Sequence, residues 1–404
     1  MKRLAVVLAW RNVSRNKRRS GIAAAAVAFA VFFSVTLRSL QLGVYGHMIT
    51  TVVGGVLGYV EVQQEGYWPL QNMDQSMPED LEWLSRVRAH EEVAKAAPRL
   101  SGFTWISSTQ GGSVAQLVGA DWEAEGIAEW NKRLVSGSLS PEPNGIWLGE
   151  GLAKMLRVKL HDTVVALSQG YQGALANDVF PVAGILVFGN PELDKRIAVV
   201  SLPEAQSFFG AYGQWTGVVL TPKNPTKHKR MAQEVSKSLP KKGAVWQTWE
   251  ERMPELDQAI EADSTGGIVV LFVLYVVIGF GLLGTMIMMA EERRREFSIQ
   301  IALGVKRKLL ALIVVLEAAF LALLGSLAGG GIARLLVEYM HRHPLRLQGE
   351  LAHAIEEQGW APVLPPSLDP AIAWTHIGII LALTLALSLW PVRVIYTSPT
   401  VYRG

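Results

Sequence analysis

The sequence predicts a membrane protein of four transmembrane α-helices, with a large α+β domain inserted between the first and the second. Three observations predict it. Half of the 404 residues are hydrophobic and the mean hydropathy is +0.24, too apolar for a soluble chain and too polar for a bundle of membrane helices alone. Residues 21–44, 266–290, 309–335 and 371–392 are apolar over the roughly 20 residues needed to cross a bilayer. Residues 45–265 have ordinary soluble composition.

Charge segregation orients these spans. Segment 1–20 carries Lys2, Arg3, Arg11, Arg15, Lys17, Arg18 and Arg19 and no acid. Segment 291–308 carries Arg293, Arg294, Arg295, Lys306, Arg307 and Lys308, whereas 336–370 is richer in acids, with Glu338, Glu350, Glu356, Glu357 and Asp369. Positive residues favour the cytoplasmic side, so both termini, including the tail 393–404, are expected in the cytoplasm and the large domain outside. The overall charge of +3 says little for that reason. Cysteine is absent, which excludes disulfides and thiolate metal sites.

Taken in order, residues 1–20 form a short helix in which Leu4, Val7, Leu8 and Val13 share an apolar side, with Trp10 near its edge. Trp beside Arg and Lys reads as a helix lying at the membrane surface. The apolar run after it is long for a signal peptide and lacks a clear cleavage site, so it is expected to stay as the first span. In 45–265, strands are predicted at 59–63, 113–118, 145–148, 163–167, 179–186, 196–200, 215–220 and 244–247. Helices are predicted at 78–89, 150–156, 203–209 and 225–239, an α+β pattern in two subdomains. Residues 37–51 and 249–264 are expected to continue the first and second spans outward as a stalk.

In segment 291–308 a helix over Glu296–Leu303 is expected to stop at Gly304. Phe297, Ile301 and Leu303 on it read either as an anchor in the interface or as a peg for another protein. Glu317 lies inside the third span, where an ionisable group is costly and usually faces protein or water; a packing hydrogen bond is the plainer reading. Gly325, Gly329, Gly330 and Gly331 have spacing that lets helices approach closely. Gly279, Gly281 and Gly284 match a dinucleotide fingerprint only formally, being inside a span with no strand before them. Arg38 and Arg334 are placed to snorkel to headgroups. Phe29, Phe32, Phe33 and Leu37 of the first span could face Phe272, Tyr275, Val276 and Phe280 of the second around an apolar cavity, or pack against lipid or into the helix core.

Catalytic signals are absent. There is no phosphate-binding loop and no His-Glu-x-x-His, and His341 and His343 have no evident third ligand, so no metal is expected. The paired acids Glu250–Glu251 and Glu356–Glu357 read as solvated surface. With 19 Lys+Arg against 26 Asp+Glu in residues 45–265, the domain offers nucleic acid no basic face.

Several segments together resemble one family. They are LAWRNVSRNKRRS near the start, GYVEVQQEGYW after the first span, and IWLGEGLAKMLRVKLHDTVVAL and RIAVVSLPEAQSFFG in the domain. EERRREFSIQIALGVKRKLL follows the second span, and WPVRVIYTSPTVYRG ends the chain. Together they resemble ABC transporter permeases of the lipoprotein-releasing (Lol-type), macrolide-efflux (MacB-type) and FtsX-like superfamily, with a type VII architecture. The tail is less basic than the family's usual one, and the lack of a fused ATPase points toward the Lol-type arrangement. The resemblance implies a multi-pass protein of the bacterial inner membrane that pairs with a second permease subunit, in a homo- or heterodimer. It implies a separate cytoplasmic ATPase dimer that holds ATP and Mg, this chain being no enzyme and binding no cofactor directly. It implies that Arg295, Glu296, Phe297, Ile299, Gln300, Ile301, Ala302, Leu303 and Gly304 couple to that ATPase. Lipoprotein cargo, membrane lipid and a periplasmic carrier are the further partners it implies.

Overall fold

In a computed structural model, residues 2–15, 17–139, 144–350, 352 and 362–397 are described. In chain order, α1 (Lys2–Arg15) and α2 (Lys17–Met48) lead into a π-helical stretch, Ile49–Leu57, and strand β1 (Val60–Gln64). Then come α3 (Leu81–Arg88), β2 (Val93–Ser107), β3 (Gly112–Ala120), β4 (Leu134–Gly137), β5 (Ile146–Gly149), α4 (Glu150–Leu156), β6 (Thr163–Gln169), β7 (Leu175–Leu186) and β8 (Ile197–Ser201). The domain continues with α5 (Leu202–Phe209), β9 (Gly217–Pro222), α6 (His228–Ser238) and β10 (Ala244–Thr248). The longer helices that follow are α7 (Pro254–Glu292), α8 (Arg294–Ala302), α9 (Arg307–Arg342), α10 (Pro370–Leu387) and α11 (Leu389–Thr397).

The chain divides into two compact units, residues 1–46 with 259–346 and 363–404, and residues 47–258 with 347–362. The first holds most of each helix long and apolar enough to cross a membrane, within Ser20–Gly54, Pro254–Glu292, Arg307–Arg342 and Pro370–Thr397. Their core joins Val27, Val31 and Val35 of α2 to Leu282 of α7, Ala333 of α9 and Ile380 of α10. Gly325 and Gly329 explain how α9 meets α2. A methyl added at Gly329 would lie 2.2 Å from the Ala28 carbonyl oxygen, and one at Gly325 would lie 2.6 Å from that of Ala24, so only glycine permits this backbone approach. Gly331, by contrast, faces open space.

Helix α1 packs on α9 through Ala5, Ala9 and Ile313, with Leu8, Leu309 and Leu316 around them. The face that packs is therefore Ala5, Leu8, Ala9 and Val13. Leu4 and Val7, which the apolar pattern suggested would share that face, stand exposed. Small residues win the contact because they let the two helices close up, which larger Leu and Val side chains would prevent.

The second unit is built on a ten-stranded sheet in the order β10-β1-β9-β2-β3-β8-β5-β7-β4, with β6 bridging β2 and β7. That bridge closes β2, β3, β8, β5, β7 and β6 into a ring, so the sheet is part barrel and part open edge. The long strand β2 belongs to both parts. Its first half pairs with β9 (Val219↔Ala97) and its second half with β3 and β6 (Trp105↔Val114, Trp105↔Leu167). Pro98 stands within it opposite Val218. Alternation sorts the barrel residues: Thr104, Ile106, Ala115, Val164 and Ala166 point in, while Phe103, Trp105, Val114, Val165 and Leu167 point out and are exposed. A second core behind β3 and β8 gathers Trp130, Trp147, Phe188 and Val199. Helix α5 starts with a capping box in which the Ser201 hydroxyl accepts from the Glu204 amide and the Glu204 carboxylate accepts from the Ser201 amide.

Candidate functional site

The segment between α7 and α9 is held by one ionic lock. Arg293, the residue before α8, donates from Nη1 to Oε2 of Glu317 at 2.6 Å, and Asn12 of α1 donates from Nδ2 to Oε1 of the same carboxylate at 2.5 Å. Glu317 therefore ties α1, the start of α8 and α9 to one point. Both charged side chains are mostly buried, at 15% and 17% exposure. A carboxylate at this depth is tolerated because its charge is matched and its oxygens are hydrogen-bonded. The guanidinium also lies 5.1 Å from the centre of the Phe297 ring, a cation–π contact.

That geometry corrects the expectation for Phe297. Its ring is buried against Leu310, Val314 and Ile395, with Ile301 and Val305 packed beside it. Phe297 and Ile301 anchor α8 to α9 and α11, so they are not free to dock elsewhere. The outward face is the other one. Ile299 and Leu303 are 51% and 79% exposed, and Arg295, Glu296, Ala302 and Gly304 are exposed beside them. The i, i+3, i+4 and i+7 spacing of 295, 296, 299, 302 and 303 makes this one helical face, with Gln300 at its margin. Gly304 takes the left-handed conformation, φ 90°, that ends the helix.

The eight residues expected to line a cavity are divided by the structure. Phe32 and Tyr275 pack into the helix core, and the Tyr275 hydroxyl hydrogen-bonds His376 Nδ1. They do not line a cavity, because that core and a polar partner hold them. Phe29 and Phe33 stack on each other at 5.8 Å on the exposed side of α2, and Leu37 is half-buried. Phe272, Val276 and Phe280 are exposed on α7. Arg38 does not simply snorkel: it donates to Gln41 Oε1 at 2.6 Å and to Ser264 of α7 at 3.4 Å. Gln41 reaches the Asp263 carbonyl at 3.0 Å, and Tyr45 hydrogen-bonds the Asp263 carboxylate. A polar seam thus links α2 and α7, which sequence reasoning missed because its members are more than 200 positions apart. Arg334 likewise meets the Leu368 carbonyl at 3.1 Å and Glu338 at 3.2 Å. Among the described residues, no three His, Cys, Asp or Glu are placed to hold a metal; Glu356 and Glu357 lie outside the described residues.

In the second unit, a buried arginine joins the two ends of the domain. Arg252 pairs with Glu61 of β1 and donates to the carbonyls of Leu57 and Gly58, at 2.5 and 2.7 Å. Nearby, His228 Nε2 bonds Glu250 at 2.9 Å, and its Nδ1 faces the Pro225 carbonyl at 2.9 Å. Glu250 is therefore part of a buried pair and not solvated surface, as the imidazole and Lys229, 3.1 Å away, both converge on it. Burial pushes the His228 value down, but the Glu250 and Pro225 hydrogen bonds and the Glu250 charge outweigh it and raise it. Burial likewise pushes Glu250 up, and the bonds from His228 and Lys229 overcome it and hold the carboxyl at about 2.

A pH dependence follows. The raised His228 value means this contact stabilises the folded domain fully below its ordinary value of 6.5 and loses that contribution as pH rises through the raised value. The Glu250 contribution is present above its ordinary value of 4.5 and is lost as pH falls toward about 2. Urea unfolding of the domain in the intact chain, followed by tryptophan fluorescence, is expected to show greater stability at pH 6 than at pH 9. In His228→Gln that difference is expected to shrink; an unchanged difference would mean another group titrates.

Residues 268–400 match the family described as FtsX-like permease C-terminal. The chain is 22% identical over 389 residues to the lipoprotein-releasing system transmembrane protein LolC of Neisseria meningitidis, covering 93% of this chain and 89% of that protein. It is 23% identical over 202 residues to LolC of Xylella fastidiosa, covering 48% of each. The periplasmic region of MacB from Actinobacillus actinomycetemcomitans overlays 53% of this chain and 95% of that structure at 12% identity, with a TM-score of 0.35.

Proposed function

We infer, on the premise that this chain is an ABC permease of the LolC, MacB and FtsX type, that it extracts lipoproteins from the outer leaflet of the inner membrane. In this reading a cytoplasmic ATPase drives the extraction by moving this chain as a mechanical link. Membership of this superfamily implies an ATPase partner and a permease dimer; the cargo is our proposal. The observation that carries the mechanism is the two-sided construction of α8. One side is fastened by Phe297 to α9 and α11 and by Arg293 to Glu317. The other presents Ile299, Ala302 and Leu303 to solvent. A helix that is rigid behind and greasy in front can receive a push from an ATPase groove and pass it to α7 and α9.

Both termini and α8 are then cytoplasmic, and the sheet domain is periplasmic. The exposed apolar residues Phe103, Trp105, Val114, Val165 and Leu167 stand on paired strands of the barrel and suit a periplasmic partner or cargo. The alternatives, a MacB-like efflux permease for peptides or antibiotics and an FtsX-like regulator of a periplasmic partner, share the mechanical link and differ in what these residues receive.

Two experiments test this. Ile299→Asp/Leu303→Asp is expected to lower retention of the ATPase on the purified permease more than tenfold while the melting temperature stays within a few degrees. Unchanged retention would remove α8 as the coupling element. Depletion of this protein is expected to leave outer-membrane lipoproteins in the inner membrane. Normal sorting under full depletion would overturn the cargo assignment and leave the efflux and regulatory readings.

A further inference from the structure

We propose that the groove between the end of α9 and the start of α10 binds a zwitterionic glycerophospholipid, phosphatidylethanolamine. Residues of both helices, of the segment that joins them and of α2 line it. Its walls are apolar: Leu327 and Trp374 are 61% and 69% exposed, so the chain itself leaves them uncovered, and Ile377 stands beside them. Glycines keep the trough clear between the helices. A methyl added at Gly331 would meet nothing within 4 Å, and one at Gly330 would stand 3.3 Å from the end of the Ile377 side chain. Trp374 lies one turn inside the start of α10, the depth at which an indole meets the membrane–water interface.

Charge stands only at the end where the two helices are joined, and there it has both signs. Arg334 and Asp369 line that end and are exposed. Leu327 is two turns of α9 deeper than Arg334, about 10 Å, so the charged and the apolar parts of the groove are separated as the head and tails of a lipid are. Arg334 donates to the Leu368 carbonyl and to Glu338, at 3.1 and 3.2 Å, which leaves other N–H groups of the guanidinium for a phosphate. Asp369 accepts from the Ala371 amide through Oδ1 at 2.9 Å and forms no ion pair among the described residues. One cation and one anion on the same rim match a headgroup that carries both, with its phosphate toward Arg334 and its ammonium toward Asp369. An anionic headgroup would set its excess charge beside Asp369 and Glu338, and a choline has no N–H to donate to Asp369. The inference rests on α9 and α10 being membrane helices and is independent of the cargo and coupling assigned above.

The test uses the purified full chain, stripped of lipid in detergent and titrated in native mass spectrometry. Phosphatidylethanolamine is expected to bind about fivefold more tightly than phosphatidylglycerol or phosphatidylcholine, the effect of one charged contact at a headgroup. Asp369→Asn should abolish that preference while keeping α10 intact, because Asn caps a helix as well as Asp does. Arg334→Gln should weaken all three lipids by about fivefold, since the phosphate is common to them. Arg346→Gln removes the same charge outside the groove and should change little. Gly331→Leu fills open space without a backbone clash and should weaken all three. Equal affinity for the three lipids, a preference that survives Asp369→Asn, equal loss in Arg334→Gln and Arg346→Gln, or unchanged binding in Gly331→Leu would overturn the proposal, as would a copy-to-copy cross-link through Trp374 that excludes lipid.

Discussion

Glu317→Ala is expected to cost about 3 kcal/mol of stability and, on the proposed coupling role of α8, to uncouple ATP hydrolysis from transport. The substitution leaves the Arg293 guanidinium mostly buried with no carboxylate, and Asn12 loses its acceptor at the same point. Breaking a buried pair by removing one partner typically costs about 3–5 kcal/mol, and the lower end applies because the pair keeps some exposure. Melting of the detergent-purified chain and transport per ATP hydrolysed are the measurements. Glu317→Leu/Arg293→Met separates the two effects. Replacing both charges by apolar groups is often close to neutral for stability, so the double variant should melt closer to the parent than Glu317→Ala, the lost acceptor of Asn12 being the cost that remains. It should still be uncoupled, because α8 is then fastened only by the packing of Phe297 and Ile301. A double variant that transports normally would reduce the lock to a packing feature.

Arg252→Ala is expected to be about as damaging, by about 3–5 kcal/mol, but within the sheet domain. The change leaves the Glu61 carboxylate buried without its cation and frees the carbonyls of Leu57 and Gly58. A buried acceptor that loses its donor costs the full desolvation of that group. Hydrogen exchange should rise first in β1 and β10, the two strands that pair next to this joint (Val60↔Thr248). Arg252→Lys should fall between parent and Ala, since an ammonium keeps the charge but cannot make the forked set of bonds to Glu61 and both carbonyls. Protection unchanged in Arg252→Ala would show that the Trp249 amide bond to the Tyr59 carbonyl, 3.0 Å, is enough to hold the two ends.

Much of the architecture could be read without coordinates. The four apolar helices were legible because a bilayer demands a length and a composition that few soluble helices have. Most strands of the domain were legible from alternation. Strand β2 was not, although it is the longest and joins both halves of the sheet. Its run VAKAAPRLSGFTWIS carries Pro98 and Gly102 and is buried on both faces in its middle, so the period-2 signal disappears where the strand matters most.

What the sequence determined by itself is which segments meet the membrane and which segment between the second and third spans carries a short helix, because hydropathy and charge act locally along the chain. Which way that helix faces, and what holds it, is set by long-range packing. Both of its faces carry apolar residues, Phe297 and Ile301 on one and Ile299 and Leu303 on the other, so periodicity cannot choose between them. The choice is made by Leu310, Val314 and Ile395, and by a carboxylate whose hydrogen-bonding partner Asn12 is 305 positions away. Contacts at that separation leave no trace in local pattern.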